Sequence, residues 1–395
     1  MSKFLLIDGN SLTYRAFFAL PDDMTTSSGQ VTNALHGFTM MLATLLRDHQ
    51  PDGLAVAFDR PEKTFRHERL SSYKANREKQ PDILYEQLAL VREIVESLGM
   101  CVVDAKGFEA DDVLATLATL IKDSEEEAII VTGDRDSYQL VEDPHVRVLY
   151  NKRGVSDYAL YDEEGIKERT GVSPKDYVDY AALRGDTSDN LPGVPGVGEK
   201  TAAKLINSYG GLEGVLQAAA DQTPKLRQNL EESGALARLN SEMMELVRDV
   251  PLHLTLDELR LKSPNVERAS ELFSSLELNK SREQLGAILG IDSWGGENTK
   301  PIEVKELTSI GPSTLNDLLE SIPKNKTLSI GVGESAADGI TVFFGDKPDN
   351  AQVFLLSSET LAEPKINKEL NSLFGDEGPG IATHDIKSLI KILRS

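Results

Sequence analysis

Phe4-Leu5-Leu6-Ile7-Asp8-Gly9-Asn10-Ser11, near the start of a chain of 395 residues, is a short apolar run that closes on an acid and a glycine. A run of this length and character reads as a buried strand. The pattern returns at Leu54 to Asp59, Met100 to Asp104 and Ala128 to Asp134. Helical periodicity fills the gaps, notably over Asn33 to Arg47, Ile83 to Leu98 and Ala110 to Lys122. The rhythm predicts an α/β core with a mainly parallel sheet flanked by helices. Ligands of such sheets sit beyond the C-terminal strand ends, which is where Asp8, Asp59 and Asp134 fall.

Further along, from about Gly165 to Leu289, the strand signal gives way to short helices joined by the turn Leu191-Pro192-Gly193-Val194-Pro195-Gly196-Val197-Gly198. Asp292 to Asn298 reads as a linker, and strands resume at Thr327 to Val332, Ile340 to Phe344 and Val353 to Leu356. The expected organisation is an α/β core over residues 1–164, a helical subdomain over 165–290, a linker over 291–300 and a partial α/β module over 301–395.

Composition narrows the chemistry. One cysteine and six histidines cannot build a disulfide framework or a thiolate zinc site, so a metal would be held mainly by oxygen. That fits a reducing cytoplasm. Apolar runs such as Ala16 to Leu20 are only five residues long, which argues against a membrane span or a signal peptide. The net charge of −22 by itself argues against a nucleic-acid partner, yet a total does not report its distribution.

The acids are grouped: Asp8, Asp59, Glu109-Ala110-Asp111-Asp112, Asp134-Arg135-Asp136 and Asp186-Thr187-Ser188-Asp189. Any one group has an ordinary reading as a helix cap or as first-turn acids that complement a helix dipole. Five groups brought to one end of a parallel sheet would repel one another unless cations neutralised them. Hard oxygen ligands point to Mg²⁺ or Mn²⁺. A site of this size has room for two cations roughly 3.5–4 Å apart, the arrangement used for phosphodiester hydrolysis without a side-chain nucleophile.

Arg60 to Gln80 reverses the global balance, with seven Lys/Arg against three Glu. Lys74 and Arg77, three apart on one helical face, are placed to clamp a phosphate, with Tyr73 to stack a base. Tyr14 and Arg15 offer a similar pairing. In the later turn Gly193, Gly196 and Gly198 let backbone approach a phosphate, the amides of the following helix can donate to it, and Lys200 and Lys204 add charge. No base-reading motif is present, so duplex shape rather than sequence would be recognised.

Together these residues resemble the 5′-nuclease domains of bacterial DNA polymerases I, within the flap-endonuclease superfamily. The resemblance runs from about Lys3 to Ile291 through Leu6 to Ser11, Ala57-Phe58-Asp59, Thr64-Phe65-Arg66, Tyr73 to Arg77, Glu109 to Asp112, Thr132 to Asp136, Gly185 to Asn190 and then the glycine-rich turn. It implies a PIN-like core and a helix-hairpin-helix at Gly193 to Ile206, the latter binding duplex backbone and a monovalent cation such as K⁺. It also implies that the nine acids hold Mg²⁺, with Lys74 and Arg77 as the gateway basics. The implied activity is metal-dependent cleavage of 5′ ends and 5′ flaps, acting as a monomer on nicked or branched DNA and RNA–DNA primer junctions.

In such polymerases a proofreading-like domain follows. Here the expected first carboxylate is Val332, ahead of Glu334, and Leu389 stands at the later aspartate position, so the module is expected to be inactive. With no polymerase motif, the chain reads as a fragment of a longer polymerase or as a truncated stand-alone nuclease. Two rival readings stay open: a PIN-type RNase, which would not need the hairpin, and a non-catalytic DNA-binding module.

Overall fold

The computed structural model describes residues 1–291 and 293–294 together with four strands between residues 327 and 383. Met1–Gly295 and Gly296–Ser395 are two compact units.

The first unit is built on β1 (Lys3–Asp8), β2 (Gly53–Ala57), β3 (Cys101–Val103), β4 (Glu127–Thr132), β5 (Val146–Arg153) and β6 (Asp157–Tyr161). Their order is β3-β2-β1-β4-β5-β6, parallel except for β6, which runs antiparallel to β5 at the edge. The chain therefore builds outward from β1 to β3 and then returns to place β4 on the other side of β1. This makes the C-terminal end of β1 a topological switch point, where such sheets open a crevice.

Alternation along the strands feeds two cores. Phe4, Leu6, Ala55 and Ile130 face one side with Val113 and Leu114 of α5 (Ala110–Asp123); Leu5, Ile7, Val56 and Val131 face the other. That second side is covered by α1 (Gly9–Ala19), α2 (Asn33–His49) and α4 (Asp82–Ser97). Burial on both faces is why these strands read as continuous apolar runs. β5 and β6, at the edge and interleaved with charged and polar residues, carried no such signal.

Between β2 and α4 the expected helical face is absent: α3 spans only Phe65–Arg69, residues 71–76 are turns, and Lys74 has φ 54°. The cause is tertiary. Lys74 N donates to Asp189 O at 3.0 Å, Asn76 Nδ2 to Thr187 O at 2.8 Å and Asn190 Nδ2 to Ser72 O at 2.7 Å, which pins this segment as a loop.

The helical stretch contains α6 (Glu163–Thr170), α7 (Tyr177–Arg184), α8 (Glu199–Tyr209), α9 (Leu212–Gln217) and α10 (Pro224–Met244), with the small hairpin β7 (Gly185–Asp186) and β8 (Leu191–Pro192). The 164/165 boundary lies inside one compact unit, because the core on the α5 face continues through Tyr177, Ile206 and Met243. α11 (Val266–Ser275) and α12 (Asn279–Leu289) return to the opposite face through Phe273 and Leu285. Trp294, inside the expected linker, packs edge-on against Phe273 at 5.5 Å and so belongs to the first unit.

In the second unit β9 (Thr327–Val332), β10 (Ile340–Phe344), β11 (Gln352–Leu356) and β12 (Gly380–Thr383) form a sheet in the order β11-β10-β9-β12, with only β12 parallel to β9. Val332 ends β9; Glu334 and Leu389 lie outside the described residues. No helix among the described residues is long and apolar enough to cross a membrane.

Candidate active site

Asp8 is the last residue of β1 and the cap of α1, two roles that fix both of its oxygens. Oδ1 accepts from Ser11 N at 2.8 Å, and Oδ2 from Thr132 Oγ1 at 2.9 Å. Thr132 Oγ1 in turn accepts from Asp134 N at 3.0 Å, so one buried hydroxyl aligns the acids at the ends of β1 and β4. Asp59, just beyond β2, accepts from Ala110 N at 2.8 Å, while its own amide donates to Asn10 Oδ1 at 3.0 Å. Asp134 Oδ1 accepts from Asp136 N at 2.9 Å, and Asp186 Oδ1 from Ser188 N at 2.7 Å.

Asp8, Asp59 and Asp134 line an open cleft of about 1200 Å³ together with Lys74, Arg77, Glu109 and Asp111, whereas Asp136, Asp186 and Asp189 lie outside its lining. Burial pushes Asp8 up to about 7, with the charges of Asp59 and Asp134 adding to it against the Ser11 and Thr132 hydrogen bonds. Burial also raises Asp111 well above the ordinary carboxylate range, reinforced by Asp134 and Asp8. Asp136 is raised in the same way, by burial and then by Asp134, Asp189 and Asp186. Asp59 and Asp134 are raised too, burial again leading. The electrostatic neighbours thus fall into two overlapping sets, Asp8/Asp59/Asp111/Asp134 and Asp134/Asp136/Asp186/Asp189, which share Asp134.

Among the described residues no three acids, histidines or cysteines close into a cage around a cation. The set is nevertheless suited to one. Its donors are hard oxygens, its carboxylates repel each other, and Asp111 Oδ1 is buried without a hydrogen-bond partner. A buried acceptor of this kind is costly to leave unpaired, and a cation would satisfy it.

Two sequence expectations need correction. Asp112 does not face the cleft: it is fully buried, its oxygens take Arg66 at 2.6 and 2.8 Å, and they also accept from Val247 N and Glu109 N. Tyr73 is no stacking surface, because it is 4% exposed and its hydroxyl lies 3.1 Å from Glu109 Oε2 and 2.9 Å from Asp189 Oδ2. Lys74 does reach the site, with its ammonium 2.9 Å from Glu109 Oε1. Burial alone would raise Glu109, but the charges of Lys74 and Arg66 outweigh it and hold Glu109 below its ordinary value. Arg77 meets Asp189 at 2.6 Å and keeps half of its side chain exposed. Arg15 lines the cleft while donating to the carbonyl of Asn151 at 3.2 Å, and Tyr14 is exposed beside it.

The residues the sequence reading missed are those that hold others in place: Asn10, Ser11, Thr132 and Arg66. Arg66 was one basic residue among seven, and nothing in its immediate sequence marks it as buried.

The glycines of the hairpin divide by task. A Cβ at Gly193 would lie 2.1 Å from Arg184 O, so that glycine serves packing against the end of α7 rather than phosphate approach. Gly196 has φ 80°, and Gly198 caps α8 with open space around it and no side-chain cap, leaving the first-turn amides free of such a partner. Val194 and Val197 are buried beneath, whereas Lys200 and Lys204 are exposed.

Two family profiles match this chain: the 5′-3′ exonuclease N-terminal resolvase-like domain over residues 3–171, and the 5′-3′ exonuclease C-terminal SAM fold over residues 172–267. DNA polymerase I of Mycobacterium tuberculosis H37Rv is 46% identical over 282 residues, covering 71% of this chain and 31% of that protein. DNA polymerase I of Bacillus caldotenax is 35% identical over 365 residues, 92% of this chain and 40% of that one. The chain thus spans between 31% and 40% of the length of these relatives. Among solved structures, the 5′-exonuclease of bacteriophage T5 with bound divalent metal ions (zinc) is similar with a TM-score of 0.53 at 19% identity, over 73% of this chain and 99% of that one. The T5 flap endonuclease in a pseudo-enzyme–product complex with DNA and metal ions is similar with a TM-score of 0.51 at 20% identity, over the same shares. At these identities the structures speak to fold.

Proposed function

Because the chain belongs to the 5′-3′ exonuclease family, we propose that it is a structure-specific nuclease that hydrolyses phosphodiesters at 5′ ends and 5′ flaps of DNA and at RNA–DNA primer junctions. The observation that carries this reading is the convergence of mutually repelling carboxylates, most of them half-buried, with the buried orphan Asp111 Oδ1, at the switch point of the sheet. Asp8, Asp59, Asp111 and Asp134 would hold one Mg²⁺ or Mn²⁺, and Asp134, Asp136, Asp186 and Asp189 a second. Bound there, the cations supply Lewis-acid chemistry to the phosphodiester.

The chain's own residues do the rest. Ser11 and Thr132 fix the rotamer of Asp8, Lys74 and Arg77 bring positive charge to the scissile region, and the Gly196–Gly198 turn with Lys200 and Lys204 anchors duplex backbone. The T5 flap endonuclease complex with DNA supports DNA as substrate by fold likeness. K⁺ at the hairpin, action as a monomer, a cytoplasmic setting and the lack of 3′–5′ exonuclease activity in residues 301–395 rest on the sequence reading.

The test offers the protein a labelled 5′-flap duplex and a matched single-stranded RNA, with and without Mg²⁺. Release of the flap as a discrete product only with Mg²⁺ is expected. Cleavage of the RNA alone would favour a PIN-type RNase, and binding without cleavage a non-catalytic module.

A further inference from the structure

Five large hydrophobic side chains are exposed among the described residues, and three of them, Tyr14, Phe18 and Tyr85, line the acidic cleft. All three are aromatic. Scattered exposed apolar residues are ordinary, but three exposed aromatics lining one polar cleft mark a binding surface. Phe18 is 57% exposed and Tyr85 52%. Tyr14 and Phe18 sit one helical turn apart on α1 with ring centroids 4.5 Å apart, and Phe17 braces Phe18 edge-on at 5.1 Å. Tyr85 comes from the first turn of α4, and Leu84 and Leu88 of the same helix also line the cleft.

The lining of the cleft therefore carries exposed aromatic rings as well as the carboxylates that would address a phosphate. Bases inside a duplex are already stacked and offer no free face, whereas an unpaired base does. A nucleic-acid strand has phosphates for the Lys74 and Arg77 side and bases for an aromatic surface. A purely apolar ligand would leave the charged wall unmatched.

We propose that Phe18 and Tyr85, extending Tyr14, form a stacking platform for unpaired nucleobases beside the scissile phosphate, and so favour single-stranded over fully paired 5′ ends. The proposal rests on the nuclease reading above. It gives Phe18 and Tyr85 the base contact that the sequence assigned to Tyr73, which the fold buries.

The experiment compares 5′-flap duplexes carrying either normal or abasic nucleotides in the unpaired strand next to the junction. Affinity is measured with metal withheld by a chelator, and single-turnover cleavage with Mg²⁺ present. For the wild type, removing the bases should weaken binding by roughly five- to 150-fold, the range seen when one base–aromatic stack is lost. Phe18→Ala and Tyr85→Ala should lose affinity for the normal flap and be nearly indifferent to the abasic one. Both positions are exposed, so folding should be little affected. Phe18→Tyr should restore the difference, and Phe18→Leu, apolar without a π face, should not.

An alanine variant that discriminates as well as the wild type, or a leucine variant that behaves as wild type, overturns the platform while leaving the nuclease reading intact. A wild type that binds and cleaves neither flap removes both.

Discussion

Asp111 and Asp112 are adjacent, both acidic and both in the first turn of α5, yet they do opposite work. About 100° of rotation separates neighbouring positions on a helix, so one carboxylate enters the cleft while the other is turned onto Arg66. Sequence showed the acidic group but not that division, because the partner of Asp112 lies 46 residues away and is itself held by Met243 O at 2.7 Å. Removing one member of a buried pair strands the other's charge, so Arg66→Met should destabilise the fold by about 3–5 kcal/mol. Asp112→Asn should lower stability without changing the number of Mn²⁺ ions bound, as read by urea unfolding and metal titration. Asp104 provides the pH-linked case. It is paired with Arg60 at 2.8 Å and Arg92 at 2.5 Å, and although burial would raise it, these partners hold it below its ordinary value. A carboxylate lowered on folding stabilises above its unfolded value of 3.8 and loses that contribution as pH falls through the folded value. Asp104→Asn should therefore cost about 1 kcal/mol near pH 7 and nothing at the acid end of a pH series of unfolding curves.

At the scale of elements, the buried parallel strands were legible to within a residue or two, since runs such as Leu54 to Asp59 have no reading but a strand hidden on both faces. The segment around Lys74 was not. Its local pattern suits a helix, and contacts to Thr187, Asp189 and Asn190, more than 100 residues away, override it. The edge strands β5 and β6 were not legible because Arg147, Asn151, Lys152, Arg153 and Asp157 interrupt their apolar residues. The glycine-rich turn was visible as a turn, but only the structure separates Gly193, which packs on Arg184, from Gly198, which stands open. If the α8 end anchors duplex backbone through phosphates alone, Lys200→Ala with Lys204→Ala should weaken binding equally on unrelated sequences. It should also flatten the slope of log affinity against log salt by about two. An unchanged slope in a salt titration would remove these lysines from the interface.

Across the molecule, a net charge of −22 is compatible with the proposed nucleic-acid substrate because positive charge is concentrated locally. Acids gather at the end of β1, with Lys74 and Arg77 beside them and Lys200 and Lys204 exposed on α8. Repulsion among those acids is a standing cost in the fold, of the kind retained where function requires it. Asp111→Asn is the sharpest probe of that account, since it removes the carboxylate with the orphan oxygen and leaves the Asp112–Arg66 pair untouched. Single-turnover cleavage of a 5′-flap duplex in Mg²⁺ should fall by at least about 100-fold in this variant, while flap affinity stays equal or rises as negative charge leaves the cleft. Cleavage at most of the wild-type rate, with binding unchanged, would contradict the assignment of this cluster as the metal-dependent centre.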